Sequence, residues 1–251
     1  MGGTLLNMAT VFIGSLIGLL VGNRMPERTR ESITMALGLV TLAVGVSNAQ
    51  LSGNVVVVLL ATVLGVLIGE ALRLDLALER LADALRARLG ASGGDGARER
   101  FINGFVTASL VFCVGPLTFV GSIQDGMGLA VGFQSLAIKS VLDGFASIAF
   151  ASTFGIGVMA TLITVLVVQG GLALVGMALV RVLSDPATTQ TLSSAPAIVE
   201  LTAVGGVLLI GLSLTLIGVA RPRVANFLPA LAVAPLLVLG AGALSINIYP
   251  L

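Results

Sequence analysis

Histidine and tryptophan are absent from this chain, and Cys113 and Tyr249 are its single cysteine and tyrosine. Without histidine there is no imidazole to ligate a metal or to relay a proton near neutrality. One cysteine leaves neither an internal disulfide nor a thiolate cluster. No metal site and no cofactor are therefore expected. With so little tryptophan and tyrosine, the aromatic belt that usually marks a bilayer interface is nearly missing. Charge is scarce as well. Only 10% of the 251 residues are charged, against about 25% in soluble domains. The net charge of +1 gives no reason to expect a nucleic-acid partner.

What fills the chain is apolar: 57% of it is hydrophobic and its mean hydropathy is +1.10. Such a composition implies an all-α, polytopic transmembrane bundle with the lipid bilayer as its first partner. Apolar runs long enough to cross occur at Thr4–Val21, Ile33–Ala49, Val55–Leu72, Phe101–Val120, Gly132–Ser152, Ile156–Val180, Ala197–Val219 and Phe227–Ile246. That is about eight spans, the fifth and sixth abutting across Thr153, Phe154 and Gly155. The start, MGGTLLNMATVF, lacks a basic leader region and reads as a mature first span, not a cleaved signal.

The arginines orient the chain. Arg24, Arg28 and Arg30 follow the first span. Arg73, Arg80, Arg86, Arg88, Arg98 and Arg100 lie between the third and fourth, and Arg221 and Arg223 between the seventh and eighth. With both termini outside the cytoplasmic membrane, these eleven face the cytoplasm and Arg181 alone faces out.

The single membrane domain divides into a three-helix half (1–72), a cytoplasmic segment (73–97) and a five-helix half (98–251). In the middle segment Leu74, Leu78, Leu81, Leu85 and Leu89 recur at helical spacing among charged residues, which predicts an amphipathic cytoplasmic helix. Gly90–Ala97, GASGGDGA, reads as a flexible linker. The three helices before it and the next three after it would run in opposite orientation, as in an inverted-repeat transporter. A second echo pairs the basic turns Arg24–Arg28 and Arg221–Arg223. Neither resemblance is strong enough in sequence to establish a repeat. Gly14, Gly18 and Gly22, then Gly65 and Gly69, stand at four-residue steps that let helix backbones pack closely. These glycine-rich faces also suit a homodimer.

The feature that bears most on function is a charge pair inside the fifth span. Lys139 and Asp143 are four residues apart and share a helix face. Each charge costs about 2.5–3.5 kcal/mol at the centre of an inserted helix, whereas one Leu or Val returns only about 0.3–0.6 kcal/mol. Their face must turn to the bundle interior or to a water-filled cavity. Ser135, Lys139, Asp143 and Ser147 form one polar stripe, a candidate pathway for a solute or ion. A purely structural ion pair is the bland alternative.

The end of the fourth span supplies a partner for this stripe. Pro116 removes a backbone donor and should break the helix near Gly115. Gly121, Gly126, Gly128 and Gly132 argue against regular continuation. Broken backbone at membrane depth is tolerated only where it is buried or lines a cavity. Thr118, Ser122 and Asp125 would place oxygens on one face there, with Gln124 beside them. An ordinary external loop is the alternative. Asn7, Gln169 and Glu200 are secondary candidates, the last near the outer surface where it can be solvated. Pro229 and Pro235 should kink the eighth span.

Three stretches, FCVGPLTFVGSIQDG (Phe112–Gly126), KSVLDGFASIAFASTFGIGV (Lys139–Val158) and the Gln169–Gly170 pair, resemble the signature of the domain-of-unknown-function 554 family. The resemblance extends over almost the whole chain, including Asn7 and the glycine-rich first helix. It implies a polytopic prokaryotic membrane protein and carries no substrate or activity with it.

The residues together predict a small secondary transporter of a solute or ion. Asp143 would bind a cation or exchange a proton. Lys139 would neutralise Asp143 or hold an anionic group, and Ser122, Ser135 and Ser147 would add neutral hydrogen bonds. An oligomeric channel and a non-transporting scaffold are the alternatives. No enzyme is expected, because neither Asp125-Gly126 nor Asp143-Gly144 sits in an aspartyl-protease motif.

Overall fold

Lipid offers no hydrogen bonds, so a membrane-crossing segment must satisfy every backbone N–H and C=O internally, and long apolar runs fold as helices. The computed structural model describes residues 1–22, 24, 26–88, 95–113, 116–180, 195–246 and 248. Its helices are α1 (Gly2–Gly22), α2 (Glu27–Ala49), α3 (Val55–Leu72), α4 (Leu74–Arg88), α5 (Asp95–Cys113), α6 (Pro116–Gly126), α7 (Ala130–Phe154), α8 (Thr161–Val165), α9 (Gly171–Val180), α10 (Pro196–Ile217) and α11 (Ala230–Ala243). No strand occurs among the described residues. Seven helical segments among them are long and apolar enough to cross a membrane. The bent pair Gly96–Cys113 and Leu117–Gly126, set at 64°, makes eight when counted as one span.

Pro116 opens α6, where its missing N–H is harmless, and it cannot extend the ladder of α5. The break leaves carbonyls at the end of α5 without helical partners. Thr118 Oγ1 donates to one of them, the Phe112 oxygen, at 3.1 Å. Gly115 itself lies outside the described residues. Gly121 does not interrupt the helix as its composition suggested, since α6 runs through it to Gly126. The absent side chain instead admits Leu136, which would stand 3.2 Å from a Cβ at that position. The turn into α7 comes at Gly128, whose φ of +79° suits glycine.

Two further expectations change. Gly90–Gly94 of the expected linker lie outside the described residues, but Asp95–Ala97 already belong to α5. The helix starts early because its apolar face has somewhere to go: Phe101 and Phe105 pack with Ala82 of α4 and with Ala160. Pro229 stands before α11 as its N-cap residue, so only Pro235 lies inside that helix. Leu89, Arg181 and Tyr249 fall outside the described residues.

The residues group into two units, Met1–Leu37 with Glu79–Thr189, and Gly38–Leu78 with Gln190–Leu251. The division falls inside α2 and α4.

In the first unit α1 lies along α7. A Cβ on Gly3 would meet Leu136, one on Gly14 the Gly144 carbonyl and Ser147, one on Gly18 the Ile148 carbonyl, and one on Gly22 Ser152. Both numbers rise together, so the two helices run parallel with their backbones nearly touching. The glycine steps of α1 are what permit this approach. α6 folds back on α7, with Gly132 against Gln124 and Asp125, and meets α9 through Gly126 on Ala173 and Gly176 on Ile123.

In the second unit α2 packs on α10 through Gly38 and Gly45, and α3 packs on α11 through Gly65 and Gly69. Arg223 bridges Glu70 at 3.2 Å and Asp75 at 3.9 Å. The Asn226 side-chain oxygen accepts from the Asp75 N–H at 2.8 Å, at the start of α4.

Candidate functional site

The polar residues of α7 sit at mid-helix on the face turned toward α1. Lys139 Nζ lies 2.5 Å from Asp143 Oδ2, and both side chains are buried. The same carboxylate oxygen accepts from Asn7 Nδ2 of α1 at 2.9 Å. Asn7 is wholly buried. A buried pair of this kind stands only while both charges are matched and hydrogen-bonded.

The serines of the predicted stripe play a different part. Ser147 Oγ of the stripe donates to the Asp143 carbonyl, and Ser140 Oγ, which lies beside the stripe, donates to the Leu136 carbonyl, each at 2.6 Å. Both hydroxyls are thus absorbed by their own helix, one turn back. Ser135 is half-buried beside Gly121. Thr118, expected to offer an oxygen to a ligand, instead caps the broken end of α5.

Asp125 ends up at the first turn of α1. Its Oδ2 accepts from the Gly3 N–H at 3.1 Å, and the Met1 amine stands 3.1 Å from the same oxygen. A carboxylate at a helix N-terminus is favoured by the unpaired N–H groups and the helix dipole. Asp125, a site candidate whose alternative was a solvated external loop, is thus buried at the start of α1. Gln124 is buried next to it, against Gly132.

The first unit also holds polar atoms with no hydrogen-bond partner among the described residues: Thr4 Oγ1, Asn7 Oδ1, Ser122 Oγ, and both amide atoms of Gln169. All four residues are buried. Leaving one such group unmatched costs about 1–3 kcal/mol, so a cluster of them is a binding feature or a large instability. Gln169 lies in a five-residue π segment, Leu166–Gly170, between α8 and α9. Single π turns inside α-helices occur often at functional sites. Thr4 was not anticipated, although its three-residue spacing from Asn7 places both on one face of α1. Ser15 Oγ and Thr153 Oγ1 are likewise buried without a partner, further along the same unit.

Glu200 belongs to the second unit. It is not solvated at the surface as its position suggested, but wholly buried. Its carboxylate accepts from Ser52 Oγ at 2.7 Å and from the Gly53 and Asn54 N–H groups at 2.9 and 3.1 Å. It caps the approach to α3, where the Asn54 side chain in turn accepts from Val56 N.

Among the described residues no three His, Cys, Asp or Glu side chains form a group able to hold a metal ion. The chemistry on offer is one buried ion pair and a set of neutral hydrogen-bonding groups.

A sequence model for proteins of unknown function, DUF554, matches residues 2–239. The chain belongs to this family. Two relatives span nearly the same length. It is 32% identical to the uncharacterized protein YqgA of Escherichia coli (strain K12) over 233 residues, which cover 92% of this chain and 94% of that one. It is 25% identical to the uncharacterized membrane protein YdfK of Bacillus subtilis (strain 168) over 242 residues, 95% and 96% of the two chains. No solved structure matches. Together with the long apolar helices, the second relative places this DUF554 member in a membrane.

Proposed function

We propose that this protein is a secondary transporter of a small solute or ion in the cytoplasmic membrane, with its site in the first unit among α1, α6, α7 and the π segment. The observation that carries the reading is the Lys139–Asp143 pair, tied to Asn7 in a unit that also holds buried polar atoms without partners among the described residues. Ionisable groups kept inside a bundle are, by default, on a solute or ion pathway. The break between α5 and α6 adds the discontinuous helix that such proteins place beside their sites.

The parallel register of α1 with α7 supports an eight-span reading, and the arginine distribution supports both termini outside. Counting the bent α5–α6 pair as one crossing makes α1 the first span and α7 the fifth, which run the same way. Arg223 beside Glu70 and Asp75 supports the same topology, because both loops then face the cytoplasm.

The competing reading is a non-transporting scaffold, favoured by the fact that Lys139 and Asp143 already satisfy each other. A thermal-shift screen of inorganic ions, amino acids and small carboxylates on the detergent-purified protein separates the two. A ligand at 100 times its dissociation constant stabilises by about 2.7 kcal/mol. Transport predicts a stabilising ligand that is lost in Asp143→Asn and taken up by vesicles containing the protein. A stable Asp143→Asn variant with binding and uptake unchanged rules the site out.

A further inference from the structure

The Asn7 carboxamide has its orientation fixed by Asp143. Its nitrogen must face the carboxylate oxygen, so Oδ1 is the end left without a partner. Thr4, three residues earlier on the same helix face, also presents an unpartnered oxygen. Ser122 comes to the same level from α6: Cβ atoms on Gly3 and on its neighbour Gly121 would both meet Leu136, and Asp125, three residues on, holds the Gly3 N–H. Gln169 comes from the π segment. Its neighbour Gly170 shares the lining of a cavity of about 370 Å³ with Thr4 and Leu5. The cavity takes one face of that helix, Leu166, Val167, Gly170 and Leu174. Gln169 lies with Val165 and Ala173 on the wholly buried face, turned into the bundle.

We propose that Thr4, Asn7, Ser122 and Gln169 form a site for one desolvated monovalent alkali cation beside the Lys139–Asp143 pair. The argument is one of donor type and charge. Each of the four residues brings a neutral oxygen, and hard cations take oxygen ligands. Lys139 already balances Asp143, so an incoming charge meets dipoles and no spare carboxylate. Desolvation cost rises with the square of the charge, and divalent sites answer it with several carboxylates. No group of three such side chains gathers here among the described residues, and Asp125 is already engaged by the Met1 amine and the Gly3 N–H. An anion would face the Asn7 oxygen, which can only accept. The inference rests on the transporter reading for the ion's role, which is to be the coupled species. Binding itself stands independently of it.

The test is equilibrium binding of radiolabelled sodium and rubidium to the full-length protein in detergent, with calcium as competitor. One of the two ions should bind, calcium should not displace it at equal concentration, and Asn7→Ala should weaken it about tenfold or more, the loss of one buried ligand. Gln169→Leu keeps the volume and removes the amide. It should abolish binding while raising the melting temperature without alkali ions, because a buried unmatched amide is gone. Gln169→Glu, which keeps an oxygen, should retain binding. Failure of both ions to bind, binding that survives Asn7→Ala and Gln169→Leu, or stronger calcium binding would each overturn the proposal. Water or a neutral solute would then satisfy these atoms. Solute uptake without alkali-ion binding would sink this inference and leave transport standing. Ion binding without any uptake would do the reverse.

Discussion

Asn7 and Asp143 lie 136 residues apart in the chain, and the amide of one donates to the carboxylate of the other at 2.9 Å. Lys139 reaches the same oxygen from one turn away. A single oxygen thus collects an amide and an ammonium, tying α1 to α7 at the only pair of opposite charges buried on α7.

The pair should behave as a unit. Breaking a buried pair by removing one partner costs about 3–5 kcal/mol, whereas replacing both by apolar residues of similar volume is often neutral. Lys139→Met alone should therefore lower the melting temperature sharply. Lys139→Met with Asp143→Leu should recover most of the loss and abolish ligand binding. Thermal unfolding of the three proteins in detergent checks this, and additive losses in the double variant would mean the two charges act independently.

The α1–α7 seam depends on the absence of side chains. A Cβ on Gly14 would run into the Gly144 carbonyl, and one on Gly18 into the Ile148 carbonyl. Backbone cannot step aside as a flexible side chain can, so Gly14→Val should cost at least the ~1–3 kcal/mol of ordinary overpacking. Gly171 has nothing within 4 Å of its missing Cβ and sits in a helix. Gly171→Ala should be neutral or stabilising by up to about 1 kcal/mol, from helix propensity. Size-exclusion profiles after graded heating distinguish the two.

Much of this was legible beforehand because bilayer physics writes itself into composition. The helical spans and the burial of Lys139 and Asp143 follow from hydropathy and the cost of charge. What was not legible is pairing. Nothing local to Asn7 says that it meets Asp143, and the i+4 stripe on α7 cannot reveal that Ser147 bonds to its own helix. The π segment also escaped notice, although the consecutive glycines after Gln169 weaken a regular helix there. Glu200 misled because sequence gives distance along a helix, while its burial depends on the turn Ser52–Asn54 closing over it.

Glu200 should matter to folding more than to binding. Three donors converge on its carboxylate, two of them backbone N–H groups leading into α3. Glu200→Leu takes the acceptor from Ser52 Oγ and the Gly53 N–H, at about 1–3 kcal/mol for each one that water does not reach, while the Asn54 N–H keeps Ser52 Oγ. Glu200→Gln keeps the shape and one acceptor oxygen, so it should fall between Leu and the native residue. The order of melting temperatures, native above Gln above Leu, is the expected outcome. Ligand affinity in the surviving folded fraction should be unchanged.

On α4, Asp83 takes a two-pronged contact from Arg98, with Nε at 2.8 Å and Nη2 at 2.6 Å. The hydrogen bonds from Arg98, more than its long-range charge, hold the Asp83 carboxyl below its ordinary value. A carboxylate with a lower pKa folded than unfolded contributes stability above the unfolded value and loses it as pH falls through the folded one. The α4–α5 contact should therefore loosen only on the acid side, below the usual aspartate range. Because the pair is exposed, salt should weaken it. Hydrogen exchange of the α4 amides, followed from neutral to acid pH, should show protection falling in the native protein. In Asp83→Asn the protection should start lower and lose that acid-side step. An unchanged step in the variant would assign it to another carboxylate.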